Sequence, residues 1–350
     1  MKGSFRLFKI FGISVNIHIT FILLFLLVLS GGIKWVFVMS GVFFFVTVHE
    51  LCHSLMAKRF GIKVREITLL PIGGVASMTK MPEKPLQEFL ISIAGPLSNI
   101  SVILIFFFPL KYILGEEVLL HSWSTATWPL AIAYVYWINL ALAGFNLIPA
   151  FPMDGGRILR SILAVKLGYR RATKIAATFG HIFALLFAYV GIVKWNIMLI
   201  AIAIFIYMSA SSEEFQIDVR ETLKKFKVRD ILSRDFFTVT SEATLAKVLE
   251  LTFHSHQENF PVIEDGRFVG FLTRQDVAAS IHKSGVDAKV EDVMRRDFPK
   301  AKESDSLIRV QGVMQESNMT ALPIMKDAEV VGVITLEDIG RVYSLASQKT

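Results

Sequence analysis

The sequence predicts a polytopic α-helical membrane domain, with six transmembrane helices and a small re-entrant β segment, followed by a soluble α/β module. Three observations predict this fold class. The 350 residues are 53% hydrophobic and only 19% charged, which is too apolar for a typical soluble protein. Residues 1–212 carry 18 Lys and Arg against 7 Asp and Glu, whereas residues 213–350 carry 19 against 23. The second part also matches itself at an offset of 62 residues, which indicates an internal duplication.

The membrane domain is predicted from its apolar runs. A helix crosses a bilayer core with about 20 consecutive, mostly apolar residues. We expect six such spans, at 13–30, 35–57, 88–110, 128–149, 175–193 and 195–211. The first span is expected to be retained in the protein, because no small-x-small cleavage site follows it. The single cysteine, Cys52, excludes an intrachain disulfide framework.

The distribution of Lys and Arg among the loops predicts the orientation of these spans. The amino-terminal segment and the loops after the second and fourth runs hold fifteen of them, and the loops on the other side hold three. Cytoplasmic loops carry the excess of Lys and Arg, so the amino terminus is expected in the cytoplasm. An even number of spans returns the soluble module to the same compartment. The predicted location is therefore the cell membrane, as a multi-pass protein.

Ionisable residues in the second span predict a metal site. The span ends with His49-Glu50-Leu-Cys-His53, in which two histidines lie four residues apart. On a helix, residues at i and i+4 project from one face, so both imidazoles can reach one metal ion while Glu50 lies beside them. A polar notch in a helix contact is the alternative. It is disfavoured because a notch needs neither two histidines in register nor an adjacent carboxylate.

A third ligand is expected about 100 residues further along. Zinc sites in enzymes usually have three protein ligands and a water molecule. Between Glu117 and Glu213 the only acidic residue is Asp154, which follows two prolines at the end of the fourth run. The second and fourth spans both run inward, so their ends lie near the same side of the membrane and can meet. A helix N-cap before Arg157 is an alternative role for Asp154, and the two roles are compatible.

These residues, in this order, resemble the site-2 protease family of intramembrane zinc metalloproteases, in particular archaeal and bacterial members whose six-helix membrane domain precedes CBS (cystathionine beta-synthase type) domains. The resemblance rests on four motifs: His49-Glu50-Leu-Cys-His53, Gly73-Gly74, Ala94-Gly95-Pro96-Leu97-Ser98-Asn99 and the segment from Asn146 to Gly156. It implies that His49, His53 and Asp154 hold one Zn²⁺ per chain and that Glu50 is the catalytic base. The implied activity is cleavage of a substrate's transmembrane segment within the bilayer.

The chemistry of such a site can be argued from its residues. Three protein ligands leave one position on zinc open for water, from which Glu50 can take a proton during attack on a peptide carbonyl. The developing oxyanion needs stabilisation, for which the Asn146 amide is a candidate. Asn146 equally fits a cap for the backbone that is freed beside Pro149, and both roles stay open.

The segment 62–80 is rich in β-forming residues and is broken by Pro71 and by two glycines, so it is too irregular for a span. We expect a small sheet at the cytoplasmic membrane edge. In the resembled family such a segment lies beside the active site. This implies that its free edge, with Gly73 and Gly74, receives an unwound substrate as an added strand. A structural re-entrant hairpin is the alternative.

The soluble module contains two copies of one unit. Identical residues 62 positions apart include Thr273 and Thr335, and Asp276 and Asp338. Each copy has the pattern of two strands followed by a helix that opens with Thr-x-x-Asp. The pair resembles tandem CBS motifs, which implies that these four residues contact an adenine nucleotide such as ATP or AMP, with the aspartates toward the ribose hydroxyls. A capping box, with Thr as the N-cap and the acid at N3, is the alternative.

The predicted domains are the membrane domain at 1–212, a linker at 213–225, and CBS copies at 226–283 and 288–346. The predicted function is that of an intramembrane zinc endopeptidase whose activity or access is modulated by the CBS pair. Expected partners are a single-span membrane protein substrate, the lipid bilayer and an adenine nucleotide, with no nucleic acid; a homodimer through the CBS domains stays open. The competing hypothesis is a CBS-gated transporter or metal permease, which the clustering of polar residues toward one end of the spans disfavours.

Overall fold

The computed structural model describes residues 3–71, 73–78, 82, 84–121, 125–327 and 329–347. The chain divides into two compact units, Met1–Ile217 and Asp218–Thr350. Ile72, Thr79 and Lys80 of the predicted β segment lie outside the described residues, as does Ala328 of the second copy's strand turn.

The first unit is mainly helical. Its helices are α1 (Ile19–Leu29), α2 (Ile33–Arg59), α3 (Pro85–Leu114), α4 (Glu116–His121), α5 (Trp128–Asn146), α6 (Asp154–Val193) and α7 (Ile197–Leu223). Within the described residues, α2, α3, α5, α6 and α7 are long and apolar enough to cross a membrane. Large apolar side chains on these helices are exposed, as on Phe108 and Ile197, which is expected of surfaces that face lipid rather than water.

The prediction of a helical span at 13–30 is wrong for its first third. Residues Ile13–His18 form strand β2, and only the following eleven residues form α1. The apolar residues Ile13, Val15 and Ile17 alternate with polar ones, which is the two-residue period of a strand. A hydropathy average over the whole run conceals this alternation. His18 therefore lies outside the helix, as the N-cap of α1, where its Nδ1 accepts a hydrogen bond from the Thr20 amide.

Strand β2 belongs to a four-stranded sheet. The other strands are β1 (Ser4–Ile10), β3 (Val64–Leu70) and β4 (Gly73–Met78). The order is β1-β2-β3-β4, with β2 and β3 parallel and the other neighbours antiparallel. The β-rich segment of the sequence thus supplies two strands of a larger sheet, and β4 lies at its edge among the described strands. Helix α2 packs against α3, α5 and β4, so this edge strand lies beside the helices.

The second unit contains the two repeated copies. The first comprises α8 (Leu245–Ser255), β5 (Phe260–Glu264), β6 (Arg267–Leu272) and α9 (Arg274–Ser284); the second comprises β7 (Ala301–Lys302), α10 (Leu307–Ser317), β8 (Ala321–Lys326), β9 (Glu329–Thr335) and α11 (Leu336–Ser347). In both copies the aspartate of the strand turn has a positive φ, 47° at Asp265 and 55° at Asp327. Asp is among the few residue types that tolerate this conformation.

The two copies exchange their leading segments. The Val228 amide donates to the Asp305 carbonyl at 2.9 Å, so the first residues of the first copy pair with the second. The Val290 amide likewise donates to the Ala243 carbonyl at 2.9 Å, so the first residues of the second copy pair with the first. Val228 and Val290 are each fully buried in the core of the copy to which they are bound. Each copy is therefore completed by chain from outside its own repeat.

Candidate metal centre

Two imidazoles face each other near the carboxyl-terminal end of α2. His49 and His53 are separated by one helical turn, and their Nε2 atoms lie 3.0 Å apart. Both side chains are buried, with 4% and 6% of their surface exposed. The predicted i, i+4 arrangement therefore brings both ring nitrogens to one point inside the protein.

Asp154 reaches the same point from α6. Its Oδ2 lies 3.1 Å from Nε2 of His49 and 3.0 Å from Nε2 of His53. Asp154 is the first residue of its helix and Met153 is the N-cap, so the alternative of an N-cap role for Asp154 is wrong. A carboxylate in the first turn of a helix still benefits from the positive end of the helix dipole. Among the described residues, these three side chains form the one cluster with metal-ligand geometry.

Hydrogen bonds at the far side of each ring fix the tautomers. Nδ1 of His53 lies 2.6 Å from the Ile91 carbonyl oxygen, and Nδ1 of His49 lies 3.1 Å from Oδ1 of Asn99. Both partners are acceptors, so each Nδ1 carries the proton and each Nε2 presents a lone pair. When both rings are neutral, the two imidazole nitrogens and the carboxylate oxygen that converge here are all acceptors. A cation is the group that such an arrangement fits.

The separations agree with zinc. In a tetrahedral site with metal–ligand distances of about 2.0–2.1 Å, neighbouring ligand atoms are about 3.3 Å apart. The three ligand atoms here are 3.0–3.1 Å apart. An outward movement of a few tenths of an ångström accommodates the ion. Two nitrogens and one carboxylate oxygen are also a donor set that catalytic zinc uses.

Gly95 of α3 makes room for this cluster. A Cβ atom at this position would lie 2.2 Å from Nε2 of His53 and 2.6 Å from Nε2 of His49. No side chain fits there without displacing the two histidines. This glycine belongs to the motif Ala94–Asn99 of the third predicted span, and no role was predicted for it from the sequence. A small residue inside a membrane helix is the signal that could have found it, because small residues mark close helix approach.

Glu50 lies under strand β4. A Cβ atom on Gly74 would lie 2.6 Å from Cγ of Glu50, so the strand passes directly against this carboxylate side chain. Gly73, one residue earlier, has φ 135° and open space around the corresponding position. The structure thus brings one of the two predicted glycines into contact with the predicted base and leaves the other at the start of the strand.

Two buried asparagines lie behind His49. Asn99 accepts from His49, and Nδ2 of Asn139 donates to the Asn99 backbone carbonyl at 3.2 Å. Nδ2 of Asn99 and Oδ1 of Asn139 are buried without a partner among the described groups. Sequence reasoning assigned neither residue a role, although Asn99 follows Gly95 by four residues and so shares its helix face. Asn146, the predicted oxyanion group, lies half-buried at the end of α5. Among the described contacts its side chain makes no hydrogen bond to the metal cluster.

A buried ionic network holds the start of α6. Nε of Arg160 donates to Oε1 of Glu88 at 2.8 Å, and both residues are 4% exposed. Glu213 of α7 accepts from Arg160 at 3.0 Å and from Arg157 at 3.1 Å. Glu88 precedes Ile91, whose carbonyl orients His53, by one turn of α3. The network therefore connects the helix that begins with Asp154 to the helix that positions His53.

The second predicted site, in the repeated copies, contains capping boxes. Oγ1 of Thr273 donates to Oδ2 of Asp276 at 2.6 Å, and the Asp276 amide donates to Oγ1 of Thr273 at 3.3 Å. The second copy repeats this with Thr335 and Asp338 at 2.7 and 3.1 Å. The capping alternative is therefore present in both copies. The capping contacts by themselves use only Oδ2 of each aspartate, so they leave Oδ1 for other contacts.

Comparison with known proteins gives matches to both units. The model of peptidase family M50 matches residues 37–131 and 120–187, and the CBS domain model matches 228–283 and 290–344. A zinc metalloprotease of Methanocaldococcus jannaschii is 36% identical over 100% of this chain and 98% of its own length. The solved site-2 protease of the same organism is 42% identical over 60% of this chain and 95% of that one, with a TM-score of 0.47. A CBS domain pair solved with 5′-methylthioadenosine and S-adenosyl-L-methionine is 27% identical over 36% and 98%, with a TM-score of 0.33.

Proposed function

The chain belongs to peptidase family M50, the site-2 protease family, and is a zinc metalloprotease with a CBS pair; we propose that His49, His53 and Asp154 bind its zinc and that Glu50 is the general base. The reaction is hydrolysis of a peptide bond within a membrane-spanning segment. The observation that carries the proposal is the convergence of two imidazole nitrogens and a carboxylate oxygen, all potential metal ligands, in a buried site. Without a cation, this arrangement would be repulsive.

Each residue has a defined part in the reaction. Bound zinc supplies a Lewis acid and a water molecule of lowered pKa. Glu50, next in sequence to a ligand, takes the proton of the attacking water and delivers it to the leaving amide nitrogen. Asn99 holds His49 in the tautomer that ligates, and the Ile91 carbonyl does so for His53. For Asn146 we propose oxyanion stabilisation, supported by its position at the end of α5, eight residues before Asp154.

We propose that the substrate binds as a strand along β4. This strand pairs with β3 on one side and is the outer strand of the described sheet, so its other edge presents unpaired backbone groups. The close approach of Gly74 to Glu50 supports this proposal, because one face of β4 lies against the proposed base. An added strand exposes its carbonyls, whereas a helical substrate keeps them in hydrogen bonds. Gly73 and Gly74 leave the approach free of side chains.

The proposed topology has six crossings, with the amino terminus and the CBS pair in the cytoplasm. The excess of Lys and Arg in alternate loops supports this orientation. The five long apolar helices supply five crossings, and α1 is assigned to the first. A transporter is not favoured, because the buried polar groups of the described helices cluster where α2, α3 and α6 meet instead of forming a path.

For the CBS pair we propose binding of an adenine nucleotide that modulates activity or access of substrate. The match of both copies to the CBS domain model supports this, as does the repeated Thr-x-x-Asp at the start of α9 and α11. A single-span membrane protein is the proposed substrate.

The test is to compare zinc content and cleavage in wild type and Glu50→Gln. Glu50→Gln should retain zinc, because the three ligands are unchanged, and should cleave a co-expressed single-span substrate roughly 10²- to 10⁴-fold more slowly. Glu117→Gln, an exposed glutamate of α4, is the matched control and should cleave normally. Unchanged cleavage by Glu50→Gln would exclude the proposed base, and a protein without zinc in either form would exclude the proposed metal site.

A further inference from the structure

The two Thr-x-x-Asp sites of the second unit are related by the internal repeat, including the segment that covers each one. The Phe271 amide donates to the Arg295 carbonyl at 3.0 Å, and the Arg295 amide donates back at 2.9 Å. At the equivalent place in the other copy, 62 residues away, Val333 pairs with Ser233. The neighbouring glycines behave alike, since a Cβ on Gly270 would meet Met294 and one on Gly332 would meet Leu232 and Ser233. Positions 295 and 233 are thus structural equivalents.

The two equivalent positions differ in the side chain. In the first copy, Arg295 turns onto Asp276, with Nη2 and Nε at 2.8 and 3.0 Å from Oδ1 and Nε at 2.9 Å from Oδ2. Oδ2 also accepts from Thr273 at 2.6 Å. Both carboxylate oxygens are therefore occupied. The hydrogen bonds with Asp276 raise the pKa of the Arg295 guanidinium above its ordinary value, so Arg295 stays charged.

In the second copy, only one of the two carboxylate oxygens of Asp338 accepts hydrogen bonds from the described residues. Oδ2 of Asp338 accepts from the Thr335 amide at 2.9 Å and from its hydroxyl at 2.7 Å. Oδ1 of Asp338 has no hydrogen-bond partner among the described residues. Ser233 is too short to reach it and directs its hydroxyl to the Asp235 carbonyl at 3.4 Å. The side chain of Asp338 thus retains an acceptor for a ligand.

We propose that the CBS pair has one working nucleotide site per chain, at Asp338, and that Arg295 closes the equivalent site at Asp276. A ribose with adjacent hydroxyls donates two hydrogen bonds to a carboxylate. The free Oδ1 of Asp338 can accept them without the loss of an existing contact. Asp276 must first give up a charged, bidentate pair with Arg295, which is among the stronger hydrogen-bonded contacts in proteins. The inference rests on the proposed binding of an adenosine-containing ligand and specifies where it binds.

The experiment is isothermal titration of the full-length protein in detergent, with AMP and S-adenosylmethionine as separate probes. These probes carry opposite net charge, so an effect on both is an effect on the shared adenosine and not on phosphate attraction. Wild type should bind one molecule per chain. Asp338→Asn should weaken binding by at least about tenfold, and Asp276→Asn should leave it within about twofold. Asparagine keeps the capping acceptor in both copies, so the helix starts are preserved.

A reciprocal exchange of the covering residues completes the test. Arg295→Ser should add a second binding event per chain, and Ser233→Arg should remove the first. If Asp276→Asn weakens binding and Asp338→Asn does not, the assignment is overturned while nucleotide binding itself stands. If Arg295→Ser weakens binding, Arg295 is a ligand and the closure is overturned. If no variant and no wild-type protein releases or absorbs heat with either probe, the proposed nucleotide function fails and takes this inference with it.

Discussion

Replacement of Gly95 by alanine is the most direct test of the metal-centre geometry. The added Cβ would lie 2.2 Å from Nε2 of His53. Ordinary van der Waals contact between such atoms begins near 3.5 Å, so the ring or helix α3 must move by about 1 Å. Zinc sites hold their ligand distances within about 0.2 Å. The displaced histidine cannot remain a ligand, and we expect zinc affinity to fall by more than the 10- to 100-fold typical of changes in residues that only support ligands.

The assay is zinc content after purification, followed by competition with a chelator and measurement of cleavage. Gly144→Ala in α5 is the matched control, because no atom lies within 4 Å of its added Cβ. Alanine is the better helix former at both positions, so loss of helix propensity does not explain a defect. Wild-type zinc affinity in Gly95→Ala, in protein that melts normally, would refute the placement of α3 against the two histidines.

Three further substitutions separate metal binding, catalysis and stability. Gly74→Ala should push the Glu50 side chain aside and lower kcat while zinc content stays at the wild-type value; equal loss of both would contradict the assignment of β4 to the base alone. Asn99→Ala should weaken zinc binding about 10- to 100-fold in a chelator competition, with Ser101→Ala on the exposed face of α3 as the control. Arg160→Met should leave Glu88 buried without its partner and lower the free energy of unfolding by about 3–5 kcal/mol. Adding Glu88→Gln to that variant should restore part of the loss, and a thermal melt in which the double variant is no more stable than the single one would contradict the pairing.

The sequence predicts well those features that depend on residues close together in the chain. His49, Glu50 and His53 lie within one turn and a half of a helix, and their relation follows from helix geometry. Asp154 could be proposed as the third ligand because it is the only acidic residue between Glu117 and Glu213, and an acid among apolar residues indicates a functional role. The structure brings these ligand atoms together, and the repeat in the second unit was equally visible because identical residues recur at one offset.

Other features depend on contacts between elements far apart in sequence. The role of Gly95 exists only because α3 packs on α2, and Asn99 matters only because it then faces His49. The strand at Ile13–His18 was concealed because its apolar residues continue into α1 without a polar break. The difference between Arg295 and Ser233 was visible in the aligned copies. The effect of this difference on the two sites depends on which segment lies over which aspartate. The exchange of leading segments between the copies determines that arrangement.

The charges around the three-residue cluster explain why the start of α6, at Asp154, suits a cation. Besides the two histidines, six ionisable side chains lie at or beside it: Glu50, Glu88, Asp154, Arg157, Arg160 and Glu213. Arg157 and Arg160 are bound to Glu88 and Glu213, and these four charges cancel. Asp154 and Glu50 are the two carboxylates of this group that neither arginine binds, so each is an uncompensated buried charge when it is ionised. Such charges are costly unless they are compensated. A divalent cation bound here would compensate both charges. The same cation would give the two carboxylates their proposed roles, Asp154 as its ligand and Glu50 as the base.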